Sequence, residues 1–487
     1  MNALVTFENN QNNMESLSAF DIIKVGIGPS SSHTMGPWHA ATLFLKYLKE
    51  LDKIDEVTRI KTFLYGSLAK TGKGHGTDIA VMMGLSNEDY ITIDTDTIKD
   101  KADNIKKSGL ITISEGHTIS FNYDKHIVFE SNKSLNFHAN GMQFDALLED
   151  GTIISREYYS IGGGFVASPG AETNQATADT VKTPYQCNSA QDILKNCTKL
   201  NLRISELIML NETAWRPEVE TRKQALYIWE EIKNCIYRGV NKSGTLPGGL
   251  NVRRRAFDMN NHLLHGQKFR NVDEWIENIR HGSNDFSTVN KWVSVFALAV
   301  NEENASFGRI VTAPTNGASG VISSVLMYAY CFVPFFGEDD IVKFIITAGE
   351  IGTLYKKEAT ISAAMGGCQA EIGVSSSMAA AGLTEALGGR KEQVLQAAEI
   401  AMEHHLGMTC DPICGLVQIP CIERHCMGAI KAITASNIAL ESDSSAARVN
   451  LDNVINTMWE TAIDMNTKYK ETAEGGLANI PVNISEC

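Results

Sequence analysis

The chain has 487 residues, of which 43% are hydrophobic and 21% charged. This composition is typical of a globular protein, and the length predicts roughly two to four domains. The formal net charge of −14 argues against binding to nucleic acid or to an anionic membrane surface, because both favour a basic face. An anionic substrate is not excluded, since a buried pocket has its own local field.

Targeting signals are not evident in the sequence. Residues 1–16 have neither a basic segment nor an apolar run, so no secretory signal is predicted. The long uncharged stretch Val311–Gly337 contains prolines and is polar in its first third, which favours a buried helix over a membrane span. We therefore expect a cytoplasmic protein without membrane association. Its ten cysteines would lie in a reducing compartment, where metal binding or catalysis is more common than disulfides.

The first 166 residues have a mixed α/β pattern. Apolar residues at helical spacing predict a helix over Gly36–Leu51, and another is predicted over Asp78–Gly84 after a glycine-rich loop. β-Branched or alternating stretches predict strands over Ile60–Tyr65, Ile127–Glu130, Ser134–His138, Gln143–Leu148 and Thr152–Tyr159.

The remaining two thirds of the chain differ in composition and in the spacing of their apolar residues. Residues 167–190 are small, polar and interrupted by proline, which predicts a linker. From residue 191 the apolar residues recur at helical spacing, and an extended tail is predicted over Glu474–Cys487. The predicted fold class is therefore α+β, with a small mixed α/β domain over residues 1–166 followed by a large all-helical catalytic domain over residues 191–487.

The segment Gly26–Pro37 (GIGPSSSHTMGP) carries the first group of candidate site residues. Its hydroxyl and imidazole side chains belong to Ser30, Ser31, Ser32, His33 and Thr34. They precede the first predicted helix, and free amides at a helix start favour a carboxylate ligand. An ordinary helix cap is the alternative interpretation of the same residues.

The segment Gly66–Asp78 (GSLAKTGKGHGTD) superficially resembles a phosphate-binding loop. That motif requires four residues between its glycines and a serine or threonine after the lysine, and the segment meets neither condition. His75 remains as a histidine between two glycines, which would let the backbone approach a ligand closely. An exposed turn is the equally simple alternative.

Three further residues are candidates on weaker patterns. His138 lies just before Asn140-Gly141, a pair that commonly forms a hairpin turn. Ser160 precedes Ile161 and three consecutive glycines, whose backbone amides are uncovered by side chains. Asn316, in the segment APTNGASG, stands at the start of the uncharged helix, where it could bind a carboxylate or cap the helix.

The cysteines Cys368, Cys410 and Cys421 are too widely spaced for a ferredoxin or a zinc ribbon. Three thiolates could hold three irons of a four-iron cluster and leave the fourth iron open. An open metal position is what a Lewis-acid catalyst requires. From spacing alone, buried core cysteines are the simpler interpretation.

Taken together, seven segments closely resemble the iron–sulfur L-serine dehydratase family and keep that family's order from about residue 18 onwards. The segments are GIGPSSSHT, GKGHGTD, YYSIGGGF, LPGGLNVRRRA, APTNGASG, LYKKEATISAAMGGCQAEIG and HHLGMTCDPICGLVQIPCIERHCMGAIKA. Each segment alone is unspecific, but the combination is highly specific.

The resemblance implies a β-type domain fused to a helical α domain, in a protein that is usually a homodimer. It implies a [4Fe-4S] cluster bound by Cys368, Cys410 and Cys421, with the last residue, Cys487, occupying the open iron until substrate displaces it. The implied reaction removes water from L-serine to give pyruvate and ammonia, as in amino-acid catabolism and gluconeogenesis. The family usually has other residues at Ala139, Cys414, His425 and Cys426, and the extra thiols leave the ligand assignment open.

On this interpretation, His75 is the expected base that takes the α-proton, because histidine has a suitable pKa and this loop can approach the cluster from the other domain. His33 and His138 are the other expected catalytic residues, although the sequence does not rank the three histidines. The residues expected to bind L-serine are Ser30, Ser31, Ser32, Thr34, Ser160 and Asn316.

Three other functions fit parts of the pattern. The enzyme could act instead on L-threonine or L-cysteine. It could be a pyridoxal-phosphate dehydratase with Lys70 or Lys73 forming the Schiff base. A non-enzymatic alternative is an iron–sulfur redox sensor or electron carrier, although such proteins usually have four cysteine ligands.

Overall fold

The structure is a computed structural model that describes residues 16–169, 181–471 and 474–481. Two hydrophobic cores organise it. The smaller core lies under a β-sheet in the N-terminal third of the chain, and the larger lies among the helices that follow. The predicted α+β class, with a small α/β region before a large helical region, is confirmed.

The N-terminal region contains a five-stranded sheet with the strand order β5-β2-β6-β7-β8. Strand β5 is parallel to β2, and the other neighbours in this sheet are antiparallel. The strands are β1 (Lys24–Ile27), β2 (Val57–Tyr65), β3 (Leu110–Ser114), β4 (His117–Ser120), β5 (Ile127–Glu130), β6 (Gly141–Leu148), β7 (Ile153–Ser160) and β8 (Val166–Ala167). The helices are α1 (Ala19–Ile22), α2 (Gly36–Glu50), α3 (Gly66–Lys70), α4 (Thr77–Leu85), α5 (Ile98–Ser108) and α6 (Tyr123–His126).

Helix α2 covers one face of this sheet. Pro37 lies in its first turn, where a missing backbone N–H costs nothing, and its apolar side chains recur at helical spacing. Phe44 stacks on Phe144 of β6 with 5.3 Å between the ring centroids, and both side chains are fully buried. The amphipathic pattern of α2 thus fixes the position of the loop that precedes it.

The helical region is centred on α16. Nearly all residues of α16 are buried, and its many alanines, serines and glycines allow α14, α17 and α18 to pack closely around it. The helices are α7 (Ala190–Leu200), α8 (Ile204–Glu212), α9 (Glu218–Asn241), α10 (Ala256–Leu263), α11 (Val272–Arg280), α12 (Phe286–Asn304), α13 (Ser319–Phe332), α14 (Glu338–Glu358), α15 (Ala363–Gly366), α16 (Ile372–Ala386), α17 (Lys391–Glu403), α18 (Cys421–Glu441) and α19 (Leu451–Asp464).

Strand β1 and helix α1 connect the N-terminal region to the helical region. Strand β1 pairs antiparallel with β9 (Arg309–Thr312), the one strand that interrupts the predicted run of helices in the described residues after 190. Helix α1 packs against α14 and contributes Phe20 and Ile22 to the larger core. Helix α1 is therefore part of the helical region, and the loop after β1 emerges at the boundary between the two cores.

Most predicted elements agree with the structure to within a few residues, with two corrections. The predicted strand Ser134–His138 is wrong, because this segment is irregular. The uncharged stretch Val311–Gly337 is α-helical only over α13, which a short 3₁₀ helix at Asn316–Ala318 precedes. Residues 170–180 of the predicted linker and the predicted ligand Cys487 lie outside the described residues. Among the described residues, no helix has both the length and the apolar character needed to cross a bilayer.

Candidate active site

The loop after β1 forms a compact turn before α2. Residues Ser31–Met35 make one turn of π-helix, and the Ser30 Oγ accepts a hydrogen bond from the His33 backbone N–H at 3.1 Å. The Thr34 hydroxyl accepts a bond from the Ser30 N–H and donates one of 2.9 Å to the His75 carbonyl. Ser30 and Thr34 therefore shape the loop and connect it to the second histidine segment.

His33 is fully buried and both of its ring nitrogens have partners. Nδ1 lies 2.8 Å from the Ser32 Oγ, and Nε2 lies 3.1 Å from the hydroxyls of both Ser67 and Thr71. Burial, with the neighbouring His75, holds the pKa of His33 well below its usual value. The sequence did not single out Ser67 or Thr71, since hydroxyl residues on a short helix carry no distinctive signal.

His75 lies against His33, with 4.6 Å between the ring centroids, and is 1% exposed. Its Nδ1–H donates a 3.0 Å hydrogen bond to the Thr71 carbonyl, whereas Nε2 has no hydrogen-bond partner among the described residues. Burial lowers the pKa of His75 to about 4. At neutral pH the ring is therefore uncharged, with the Nε2 lone pair free to accept a proton.

The glycine after His75 is required by packing. Gly76 has a φ of +62°, and a Cβ at this position would lie 2.1 Å from the Phe307 ring. Any other residue would push this segment away from the helical region, which contributes Phe307. The close fit explains why the histidine is followed by glycine.

His138 and Ser160 lie on the N-terminal side of the site, with His138 close enough to His33 to lower its pKa and the Ser160 side chain packed against Gly36. Nδ1 of His138 accepts a bond from the Asn140 N–H at 3.1 Å, and burial lowers the pKa of His138 to about 4. The Asn140 side-chain amide donates to the Ser160 carbonyl at 3.3 Å. The Asn140 Oδ1 and Ser160 Oγ are buried and have no partner among the described residues. These atoms, like His75 Nε2, are therefore available to a ligand.

Asn316 links the two regions by hydrogen bonds. Its amide donates a 2.5 Å bond to the Ile27 carbonyl at the end of β1, and its Oδ1 accepts a 2.6 Å bond from the Thr312 hydroxyl. Each polar atom of the side chain thus bonds to protein, and the amide keeps a second N–H. The structure brings Asn316 to the region boundary, where these bonds link the two regions, and its predicted contact with substrate stays a prediction.

The three predicted cluster cysteines come together from separate segments. Cys368 follows Gly367 at the start of a short 3₁₀ turn. The backbone of Cys410 forms an isolated parallel β-bridge with Lys470, and Cys421 is the first residue of α18. All three are buried, with exposures of 2%, 4% and 6%. By contrast Cys414 is exposed, and Cys426 is half-buried beside the Ser294 carbonyl.

The charges around these thiols favour a thiolate at Cys368. A hydrogen bond with Cys410, assisted by Arg424, lowers the pKa of Cys368 to about 7. The Arg424 guanidinium lies 3.2 Å from the Cys368 Sγ and is itself held by Asp411 at 3.1 Å. The same hydrogen bond raises the pKa of Cys410, and burial raises that of Cys421. The sequence analysis missed Arg424, which lies three residues after Cys421.

Two carboxylates complete this side of the site. Glu471 is 6% exposed, and burial together with Cys368 raises its pKa to about 8. Burial and the nearby Glu471 raise the pKa of Glu371 well above its usual value. No local pattern marks either residue in the sequence, because their proximity arises only from the fold.

Glu471 is the point where the histidine and cysteine segments meet. Its N–H donates a 2.8 Å bond to the Cys410 carbonyl, and its own carbonyl accepts a 3.3 Å bond from the Ser67 hydroxyl. Its Oε1 lies 3.7 Å from the His33 Nδ1. One residue near the C-terminus therefore contacts both halves of the candidate site.

The three cysteines form a donor set that could hold an iron–sulfur cluster. Among residues 16–169, 181–471 and 474–481, no group of three or more histidine, cysteine or acidic side chains is arranged to hold one ion. A cluster distributes its cysteine ligands over different irons, so they need not converge on one point. Buried, adjacent and unbridged thiols next to a guanidinium are a suitable donor set for such a group.

Comparisons with known proteins agree with this architecture. The family described as "Serine dehydratase beta chain" matches residues 18–171, and "Serine dehydratase alpha chain" matches residues 199–478. An L-serine dehydratase of Streptomyces coelicolor is 46% identical over 97% of this chain and 100% of its own length. L-serine dehydratase 1 of Escherichia coli is 46% identical over 95% of this chain and 98% of its own. The L-serine dehydratase of Helicobacter pylori is 42% identical over 96% of this chain and 99% of its own length. The chain belongs to the serine dehydratase family, with the alpha and beta parts of that family in one polypeptide.

Proposed function

We propose that this protein is an L-serine dehydratase that eliminates water from L-serine to give pyruvate and ammonia, using a histidine base and a [4Fe-4S] cluster. The observation that carries the proposal is the meeting of two buried groups at Glu471. One contains the neutral imidazoles of His33 and His75, and the other contains three cysteines. The similarity to proteins named L-serine dehydratase over nearly the whole chain supports the choice of substrate.

The residues that would hold the cluster are Cys368, Cys410 and Cys421. Such a cluster, when bound with one iron open, supplies a Lewis acid that activates the substrate hydroxyl as a leaving group. Arg424 would offset the negative charge of the thiolates through its contact with the Cys368 Sγ. Cys487, proposed as a further ligand, stays a prediction from the family resemblance.

His75 is the best-placed base among the three histidines. The reaction must remove the proton from the α-carbon, and only a neutral ring with a free lone pair can accept it. His75 has a free Nε2, whereas both nitrogens of His33 already have partners. The Thr71 carbonyl orients the ring by accepting the proton of Nδ1. General-base assistance of this type contributes typically about 10²- to 10⁴-fold in rate.

Hydroxyl and amide groups of the N-terminal region would bind the carboxylate of the substrate. Ser160 Oγ is the strongest candidate, because it is fully buried and has no partner among the described residues. The role of Ser31 and Ser32 is proposed on the family resemblance, with Ser32 also supporting His33. The elimination first gives aminoacrylate and water, and aminoacrylate then tautomerises and hydrolyses to pyruvate and ammonia.

The pyridoxal-phosphate alternative has little support in the geometry. Lys70 forms an ion pair with Glu474, and Lys73 lies over the Phe129 ring with its Nζ 5.4 Å from the centroid. Both lysines are exposed, whereas a Schiff-base lysine needs an enclosed cofactor pocket.

We also propose, from the family resemblance, that the protein is a homodimeric, cytoplasmic enzyme of amino-acid catabolism and gluconeogenesis.

The test is anaerobic purification followed by iron and sulfide determination and a pyruvate assay. We expect about four irons and four sulfides per chain, since the cluster proposed is of the four-iron type. Turnover should be highest on L-serine when compared with L-threonine and L-cysteine, and should not need added pyridoxal phosphate. Full activity of iron-free protein, or a preference for another substrate, would contradict the proposal.

A further inference from the structure

The chemistry of the proposed reaction places a demand on the site that its histidines and hydroxyls do not meet. The carbon that loses its proton also carries the α-ammonium group of L-serine. Whatever binds this ammonium must therefore lie within a few ångströms of the base. A buried ammonium needs an anionic or strongly accepting partner, because removing it from water without one is costly.

Glu471 meets this demand by its position. Its carboxylate is 7% exposed and lies 3.7 Å from the His33 ring, which in turn contacts the His75 ring. The Oε2 atom is buried and has no hydrogen-bond partner among the described residues. An unpaired carboxylate oxygen is rarely left inside a protein, because desolvation penalises it. The atom is therefore free to accept hydrogen bonds from a ligand.

The backbone of Glu471 fixes where this carboxylate lies. Its N–H and C=O bond to Cys410 and to Ser67, one on each side of the site. The residue has a φ of +57°, a conformation that non-glycine residues adopt infrequently. The bonds to Cys410 and Ser67 fix the main chain of Glu471, and the Glu471 side chain takes part in neither of them.

Glu371, the other nearby carboxylate, is oriented elsewhere. Its Oε2 lies 2.6 Å from the position that a Cβ on Gly317 would occupy, so it packs against the APTNGASG segment. Glu471 alone of the two contacts a histidine of the N-terminal region. The cysteine thiolates are assigned to the cluster and are not available to an ammonium.

We infer that the Glu471 carboxylate binds the α-ammonium group of the substrate and so selects amino acids over hydroxy acids that lack it. This inference rests on the proposed function and adds a specificity residue to it. The ammonium would donate to Oε2, and its positive charge would favour the ionised form of Glu471, whose pKa burial and Cys368 raise while no cation is bound. The α-hydrogen on the same carbon would then be directed towards the histidine pair. No covalent change occurs at Glu471 itself.

The test is Glu471→Gln, which keeps the side-chain size and every backbone bond. Two ligands are compared: L-serine, and 3-hydroxypropanoate, which is L-serine without its ammonium, as a competitive inhibitor. We expect the KM for L-serine to rise by roughly 10- to 100-fold, since hydrogen bonds to charged groups have effects of that size. The inhibition constant of 3-hydroxypropanoate should change by less than about 3-fold, because it makes no such bond.

Glu474→Gln is the matched control. Glu474 lies in the same C-terminal segment, is half-exposed and pairs with Lys70, so its loss should leave both constants unchanged. An equal rise for both ligands would mean that Glu471 only maintains the shape of the site, and an unchanged KM would also overturn the inference. Failure of the wild-type protein to act on L-serine would instead refute the proposed function.

Discussion

The two sides of the candidate site differ in the charge they present. The N-terminal side offers imidazoles, hydroxyls and amides, and burial lowers the pKa values of His33, His75 and His138, so these rings are uncharged at neutral pH. The helical side offers thiols, two carboxylates and a guanidinium. Under the proposed function, the N-terminal side would accept the proton and the helical side would hold the cluster.

The largest effect is expected on the helical side. Cys421→Ala removes one of the three proposed cluster ligands, and we expect loss of the four-iron absorbance and of detectable dehydratase activity. Cys426→Ala is the control, because this thiol lies on the same helix and its Sγ donates to the Ser294 and Ile422 carbonyls. Anaerobic absorbance spectra and a pyruvate assay measure both variants. A Cys421→Ala protein with normal iron content would break the assignment of the helical side as the metal side.

The next effect is expected on the N-terminal side. His75→Asn should lower kcat by about 10²- to 10⁴-fold, the usual contribution of a general base, and should leave the iron content unchanged. His117→Asn is the control, since His117 lies on β4 and bonds to the Val57 carbonyl. Steady-state kinetics and iron analysis together separate the two sides. A His75→Asn protein that also contained less iron than the wild type would contradict separate roles for the two sides of the site.

Sequence patterns predicted the elements of both regions better than they predicted the contacts between them. Helix α2 and strand β5 have strong local signals, and both form close to their predicted bounds. Strand β9 was missed because four residues without alternation give no signal, and its partner β1 lies far away in the sequence. Contacts of this kind depend on the fold of the whole chain.

The wrongly predicted strand Ser134–His138 illustrates another limit. Its residues alternate, but β6 begins only at Gly141 and is already paired with β2 on one edge and β7 on the other. The segment does not pair with either edge strand of the sheet, β5 or β8, and Phe137 is 67% exposed. Alternation identifies a possible strand, whereas a strand also needs an available partner.

The site itself was predictable only in part. The family resemblance named the cysteines and histidines, and the structure brings His33, His75 and His138 near each other and the three cysteines near Glu471. Whether a residue can serve a ligand depends on which of its atoms remain unpaired. The sequence cannot distinguish Asn316, whose side-chain nitrogen and oxygen each bond to protein, from Ser160, whose hydroxyl has no partner in the described part of the chain.

A smaller effect is expected from acid on the stability of both regions. Burial lowers the pKa from 6.5 to about 4 both in His75, in the N-terminal region, and in His405, in the helical region. Below pH 6.5 the unfolded chain binds protons at these two positions that the folded chain does not, so each histidine lowers the free energy of unfolding as the pH falls. At pH 5 each such histidine costs about 2 kcal/mol. Because the raised carboxyl pKa of Glu471 acts in the opposite direction, urea denaturation at pH 7.5, 6 and 5 compares the wild-type protein with His405→Asn. The stability difference between the two proteins should narrow by about 2 kcal/mol towards pH 5, and a constant or widening difference would contradict the prediction.

The smallest effect is expected where the two regions touch at the surface. Lys70 and Glu474 form an ion pair of 2.5 Å between the histidine region and the C-terminal segment, but both side chains are more than a third exposed. Exposed pairs contribute about 0–1 kcal/mol and are weakened further by salt. A double-mutant cycle with Lys70→Gln and Glu474→Gln, followed by denaturant unfolding, should give a coupling within that range. The buried bonds of Glu471 to Cys410 and Ser67 do not involve these side chains, so they should persist in all three variants. A coupling above about 2 kcal/mol would mean that surface charge, and not the buried backbone contacts, holds the two sides of the site together.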